Sequence, residues 1–167
     1  MNNIKSFMLI FILFLFISTN LYSAEITKEY DAVKQVTVYK STLTTFNDGS
    51  FYIIAVRDIV STLYSIGVLI NYQGDYCRFY GTAYDNAGNK LDLIKAGRDI
   101  KCTSGGCTLS ESVCIFFSKK EFTKINRSGI TLKIYGRDGA NVICTVPGSS
   151  INEMIVEVEK RKVVRSL

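Results

Sequence analysis

Two cysteines bracket a four-residue glycine turn in the stretch IKCTSGGCTLSESVC, residues 100–114, and this constrains the fold more than any other feature. The loop Thr103-Ser104-Gly105-Gly106 can reverse an extended chain and bring Cys102 and Cys107 opposite one another across a hairpin. Such a pair persists as a disulfide in an oxidising compartment. Closing so short a loop contributes about 2 kcal/mol on the chain-entropy model. Other uses of the cysteines fit less well. Zinc sites recruit four ligands in closely paired Cys or His spacings, whereas here the spacing is C-x4-C-x6-C and the chain contains no histidine. A C-x-x-C redox dithiol is absent as well. No metal and no cofactor is expected.

A disulfide implies export, and the N-terminus reads accordingly. Lys5 precedes the unbroken apolar run Phe7 to Ile17, and polar residues follow from Ser18. Eleven apolar residues are too few to span a bilayer, which takes roughly 20. A positive start, a short apolar stretch and small residues form a secretory leader over 1–24, cut near Ser23 or Ala24. An uncleaved anchor is the alternative, because Tyr22 fits a small-x-small site poorly. The expected location is the periplasm or the exterior, with no membrane span left after cleavage.

Residues 25–167 are enough for one domain with a sizeable core. Losing Lys5 lowers the net charge from +5 to +4. The cations are scattered apart from KRKVVR at 160–165. Nucleic-acid binding concentrates them on one face, so no nucleic-acid partner is expected. Without histidine, any catalysis must use carboxylates, Lys, Tyr, Ser or Cys.

The remaining pattern is that of strands punctuated by glycine and asparagine turns. Strand candidates are 33–39, 51–57, 63–72, 76–85, an interrupted segment through 91–102, 107–117, 130–136 and 141–146. Residues 59–66 could alternatively form a helical turn. Asp48-Gly49, Asn86–Lys90 and Asp138-Gly139 mark turns. A short helix is expected near 118–126, where Ser118 and Glu121 have capping-box spacing. A second is expected at the C-terminal end, where Ile151, Met154, Ile155 and Val158 recur at helical spacing behind a Ser150–Glu153 box. Seven to nine short strands with these helices imply a mainly-β single domain, a β-sandwich or an open barrel. The tripeptides of VRDI, GRDI and GRDG recur at 56, 97 and 136 without establishing a repeat.

Alternation at 76–85 puts Tyr76, Arg78, Tyr80 and Tyr84 on one strand face. Tyrosines offer broad contact area with a polar handle, so this face is the candidate binding surface for an envelope protein or glycan. The same residues equally suit plain cross-strand packing. Cys77 and Cys144 both fall on inward faces and are a candidate second bridge, leaving Cys114 free. Three buried thiols acting as small hydrophobes is the competing reading. Glu111 interrupts an otherwise apolar face and needs a partner there. With an Asp such as Asp75, Asp85, Asp92 or Asp99 it could serve a carboxylate-dependent hydrolase acting on an envelope substrate. A lysozyme inhibitor would carry an acidic face, which the net charge of +4 opposes. The Asn126-Arg127-Ser128 tripeptide has glycosylation-acceptor form.

The segments YQGDYCRFYGTAYDNAGNKL, then RDIKC…GCTLSESV, then GITLKIYGRDGANVICTVPGSSI resemble a loose family of uncharacterised bacterial exported proteins and lipoproteins, across roughly residues 63–155. In that family an aromatic-rich strand, a two-cysteine turn followed by a Glu, and a K-[IL]-Y-G strand recur in this order. Here Cys77 stands where a tryptophan is expected, and no lipid-anchoring cysteine is present. The resemblance implies a β-sandwich-like exported domain and no particular activity. The overall expectation is a non-catalytic binding protein of the bacterial envelope.

Overall fold

Two-residue periodicity becomes eleven strands among the described residues, 25–160 of a computed structural model. They are β1 Ile26–Asp31, β2 Val36–Ser41, β3 Thr44–Phe46, β4 Gly49–Arg57, β5 Thr62–Gln73, β6 Thr82–Tyr84, β7 Lys90–Leu91, β8 Leu93–Thr103, β9 Gly106–Phe117, β10 Ile130–Tyr135 and β11 Asn141–Val146. Helix α1, Lys119–Lys124, links β9 to β10, and α2, Gly148–Glu159, follows β11. The expected leader, its cleavage point and most of the KRKVVR run lie outside the described residues.

The strands form two antiparallel sheets. The larger runs β1-β2-β4-β5-β9-β8, with β3 also paired to β4, and the smaller runs β11-β10-β6-β7. Alternation decides which face is buried. In β9, Leu109, Glu111, Val113, Ile115 and Phe117 turn inward while the intervening residues stay half-exposed. Val113, Ile115 and Phe117, with Phe51, Ile53 and Ala55 of β4 and Tyr64, Ile66, Val68 and Ile70 of β5, share one core with Ala83, Ile130, Leu132, Ile134, Val142, Cys144 and Val146 of the smaller sheet. Helix α2 adds Ile151, Met154, Ile155 and Val158 to the same core, against β4 and β2. Each large apolar side chain buried this way contributes about 1.5–3 kcal/mol, so Ile66→Ala at the centre would cost about 2–5 kcal/mol. The result is a single β-sandwich-like domain rather than a closed barrel.

Local signals account for most connections. Asp138 and Gly139 both have positive φ, 55° and 75°, the two-residue turn that an Asp-Gly pair favours. Ser118 caps α1 through a complete capping box with Glu121. In the cysteine hairpin Thr103 pairs with Gly106, so the reversal itself is Ser104-Gly105 and Cys102 faces Cys107 directly. Their sulfurs are bonded, with Cα atoms 4.0 Å apart.

Four expectations are corrected. Residues 32–35 form the β1–β2 turn, so the first strand expected at 33–39 begins only at Val36, and β1 precedes it where no strand was expected. Only Thr82–Tyr84 of the expected strand 76–85 is strand, because the backbone of 78 and 79 bonds to a side chain instead of a neighbouring strand. Helix α2 begins after Pro147, whose extended φ of −64° and ψ of 145° end β11, and no side chain caps it. Ser150 therefore lies inside the first turn and forms no box. Cys77 and Cys144 are not bridged: both are buried free thiols. Cys144 lies in β11 opposite Leu132 within the core, whereas Cys77 is in the irregular segment outside that cluster.

Candidate functional site

Glu111 organises the surface that the sequence pointed to. It comes from β9, is 4% exposed, and turns its carboxylate toward the chain that leaves β5. Its Oε1 accepts from the Tyr72 hydroxyl at 2.5 Å and from the backbone N–H groups of Arg78 and Phe79 at 2.8 and 3.0 Å. The buried carboxylate thus has the partners its position demands. It also holds the loop in shape. Phe79 has a φ of +55°, a left-handed conformation that a bulky residue adopts only when its surroundings impose it. Burial, and then the bond to Glu111, push the Tyr72 phenol up to about 12. Glu111 therefore positions a loop, and among the described residues its hydrogen-bond partners include no second carboxylate.

The shaped loop docks on the smaller sheet. The Arg78 carbonyl accepts from the Arg137 N–H at 2.6 Å, and Gly81 N–H donates to the Tyr135 carbonyl at 3.0 Å. Gly136 makes this approach possible, since a Cβ there would sit 2.6 Å from the Arg78 carbonyl oxygen. Between the loop and the β10–β11 turn lies an open cleft of about 370 Å³, lined by Tyr76, Arg78, Arg137 and residues 138–141.

The four tyrosine-face residues separate in space. Tyr76 is 65% exposed at the cleft. Arg78 is half-buried there, its guanidinium 4.4 Å from the Tyr72 ring centroid and 3.4 Å from the Tyr80 hydroxyl. Tyr80 is fully buried, its ring edge-on to Tyr72 at 6.2 Å, and can touch no partner. Tyr84 is half-buried and meets Tyr135 edge-on at 5.9 Å. A single exposed tyrosine face does not exist, because the irregular backbone at 78–79 rotates Tyr80 into the core.

Two arginines missing from the sequence reading complete the site. Arg98, opposite Glu111 on β8, and Arg137 both lie over the Phe79 ring, 4.5 and 4.1 Å from its centroid. Lys95 reaches the same loop beside Gly81. Among the described residues, no carboxylate lies within ion-pair distance of Arg78, Arg98 or Arg137. Stacking fixes the plane of each guanidinium and leaves N–H groups at its edge to donate, although Arg78 already gives one to the Tyr80 hydroxyl. The recurrent Gly-Arg-Asp at 97 and 136 was the available signal: both copies place their arginine on Phe79. Among the described residues no cluster of Cys, Asp and Glu could hold a metal ion.

Fold and site together define a β-sandwich-like domain with an arginine–aromatic cleft at one edge. No known protein family, no curated protein and no solved structure matches the chain. Among the described residues no helix is long and apolar enough to cross a membrane.

Proposed function

We propose that this chain is a non-catalytic binding protein, exported to the bacterial envelope, that recognises a protein or glycan carrying acidic groups. The observation that carries the reading is the pair of ring-stacked arginines, Arg78 and Arg137, that line a cleft exposing Tyr76 and have no carboxylate partner among the described residues, with Arg98 stacked on the same Phe79 ring as Arg137. Such guanidinium edges donate in pairs to a carboxylate or phosphate, and an exposed tyrosine ring stacks on a sugar or covers an apolar side chain. The export part rests on the apolar run at 7–17 and on the Cys102–Cys107 bond, which suits an oxidising compartment. The resemblance to exported bacterial proteins points the same way. Cross-linking in intact cells, with recovery of the cross-linked species, tests the reading. Tyr76→Ala combined with Arg137→Ala should abolish a product that the unaltered protein yields. A product that survives the double substitution would place recognition elsewhere on the molecule.

A further inference from the structure

The cleft is not uniformly basic. Asp138 and Asn141 border the same space as Arg78 and Arg137, and both are exposed. Among the described residues no cation lies within ion-pair distance of Asp138, and no donor reaches its carboxylate. Asn141 gives an amide hydrogen to the Gly139 carbonyl at 3.3 Å, which leaves its amide oxygen as an acceptor. Arg78 keeps further N–H groups beyond the one given to Tyr80. Arginine donors and carboxamide and carboxylate acceptors thus sit around one exposed tyrosine ring.

The backbone beneath these side chains is braced before any ligand arrives. Arg137 N–H donates to the Arg78 carbonyl at 2.6 Å, Ala140 N–H to the Arg137 carbonyl at 3.0 Å, and Gly136 N–H to the Ala140 carbonyl at 2.8 Å. Recognition therefore falls to the side chains, whose positions cost little to fix on binding. The cleft volume of about 370 Å³ lies at the small end of ligand sites and suits a short segment rather than a folded surface.

The mixed lining discriminates between acidic ligands. A fully ionised sulfate or phosphate group offers acceptors to the arginines, but Asp138 repels it and receives no hydrogen from it. An acidic peptide gains most of its affinity from apolar side chains that fill a pocket. Here Tyr76, Ala140 and Gly139 are the lining residues that are neither charged nor amide-bearing. A sugar acid complements every member of the set. Its carboxylate takes guanidinium donors in pairs, its hydroxyls donate to a carboxylate or amide oxygen, and its C–H face covers an exposed ring.

We propose that the cleft binds a hexuronate unit of an acidic glycan, with the carboxylate on Arg78 and Arg137, ring hydroxyls donating to Asp138 and Asn141, and the pyranose face on Tyr76. This rests on the reading of the cleft as the recognition site and names the chemistry of its ligand.

The isotopically labelled full-length protein is titrated with oligogalacturonate, with its methyl ester and with polyglutamate, and amide resonances are followed by NMR. Oligogalacturonate should shift the amides at 137–141 and bind at least about tenfold more tightly than the methyl ester, which keeps the rings and loses the charge. Arg137→Ala should weaken it about tenfold. Asp138→Asn keeps a residue suited to the left-handed turn and removes only the charge. It should weaken oligogalacturonate about fivefold, because a charged acceptor for hydroxyls becomes a neutral one. A plain anion site would respond in the opposite sense, since lifting the repulsion strengthens binding, and that result would overturn the proposal. Shifts at 137–141 with polyglutamate and none with oligogalacturonate would overturn it too, while leaving the cleft as the recognition site for an acidic protein. Oligogalacturonate bound with unchanged affinity by Arg137→Ala and by Tyr76→Ala would overturn both this assignment and the reading of the cleft.

Discussion

Removing the Glu111 carboxylate should loosen the loop that builds the cleft without unfolding the domain. In Glu111→Ala, the Tyr72 hydroxyl and the N–H groups of Arg78 and Phe79 all lose their shared acceptor. A hydrogen bond to a charged group is worth about 1.5–3 kcal/mol, but one oxygen serves all three donors, so the losses do not add fully. Phe79 also keeps its left-handed backbone only while the loop is held, a conformation costing about 1–2 kcal/mol. The expected loss is about 3–5 kcal/mol, within the 5–15 kcal/mol of an ordinary domain. Urea denaturation followed by far-UV circular dichroism measures it. Glu111→Gln retains an acceptor oxygen and should lose about half as much. Exchange of the Arg78 and Phe79 amides should accelerate in both variants, and a cycle with Tyr72→Phe should give a coupling of about 1–3 kcal/mol. A loss below about 1 kcal/mol for Glu111→Ala, with exchange at 78 and 79 unchanged, would refute the assignment of Glu111 as the loop's anchor.

Four further outcomes follow from the same geometry. The Tyr64 hydroxyl is buried with no hydrogen-bond partner among the described residues, so Tyr64→Phe should be neutral or stabilise by about 1 kcal/mol in thermal denaturation. Gly136→Ala pushes a methyl against the Arg78 carbonyl; it should destabilise by about 1–3 kcal/mol and weaken the cross-linked product of the proposed recognition, while a native-like melting temperature would contradict the close approach. Burial raises the Cys144 thiol from 9.0 to about 12, and burial raises the Tyr72 phenol from 10.0 to about 12. Both groups favour the folded state while protonated, so stability should be complete below about pH 9 and decline as the pH rises toward 12, as an alkaline titration by circular dichroism would read. Cys102→Ser with Cys107→Ser should cost about 2 kcal/mol in the urea midpoint and leave the sheet signal intact.

The elements whose period survives folding were legible in the sequence. β9, β10 and β11 alternate as written, Asp138-Gly139 makes the turn it encodes, Ser118 and Glu121 form their box, and Cys102 bonds Cys107 across the hairpin. Each of these rests on residues close in sequence, where period, turn chemistry and capping act directly. The surface at 76–85 was different. Its alternation is as regular as that of β9, yet Glu111, more than thirty residues downstream, captures the backbone at 78 and 79 and turns Tyr80 inward. Arg98 and Arg137 were equally invisible as site residues, because only the packing of β8 and the β10–β11 turn against one loop brings them to Phe79. Sequence by itself determined the strands, turns and hairpin clamp, whose causes are local. Tertiary structure alone decided which side chains meet, because a side chain can take a backbone N–H that the strand pattern assigns to the ladder, and no period in the sequence records that exchange.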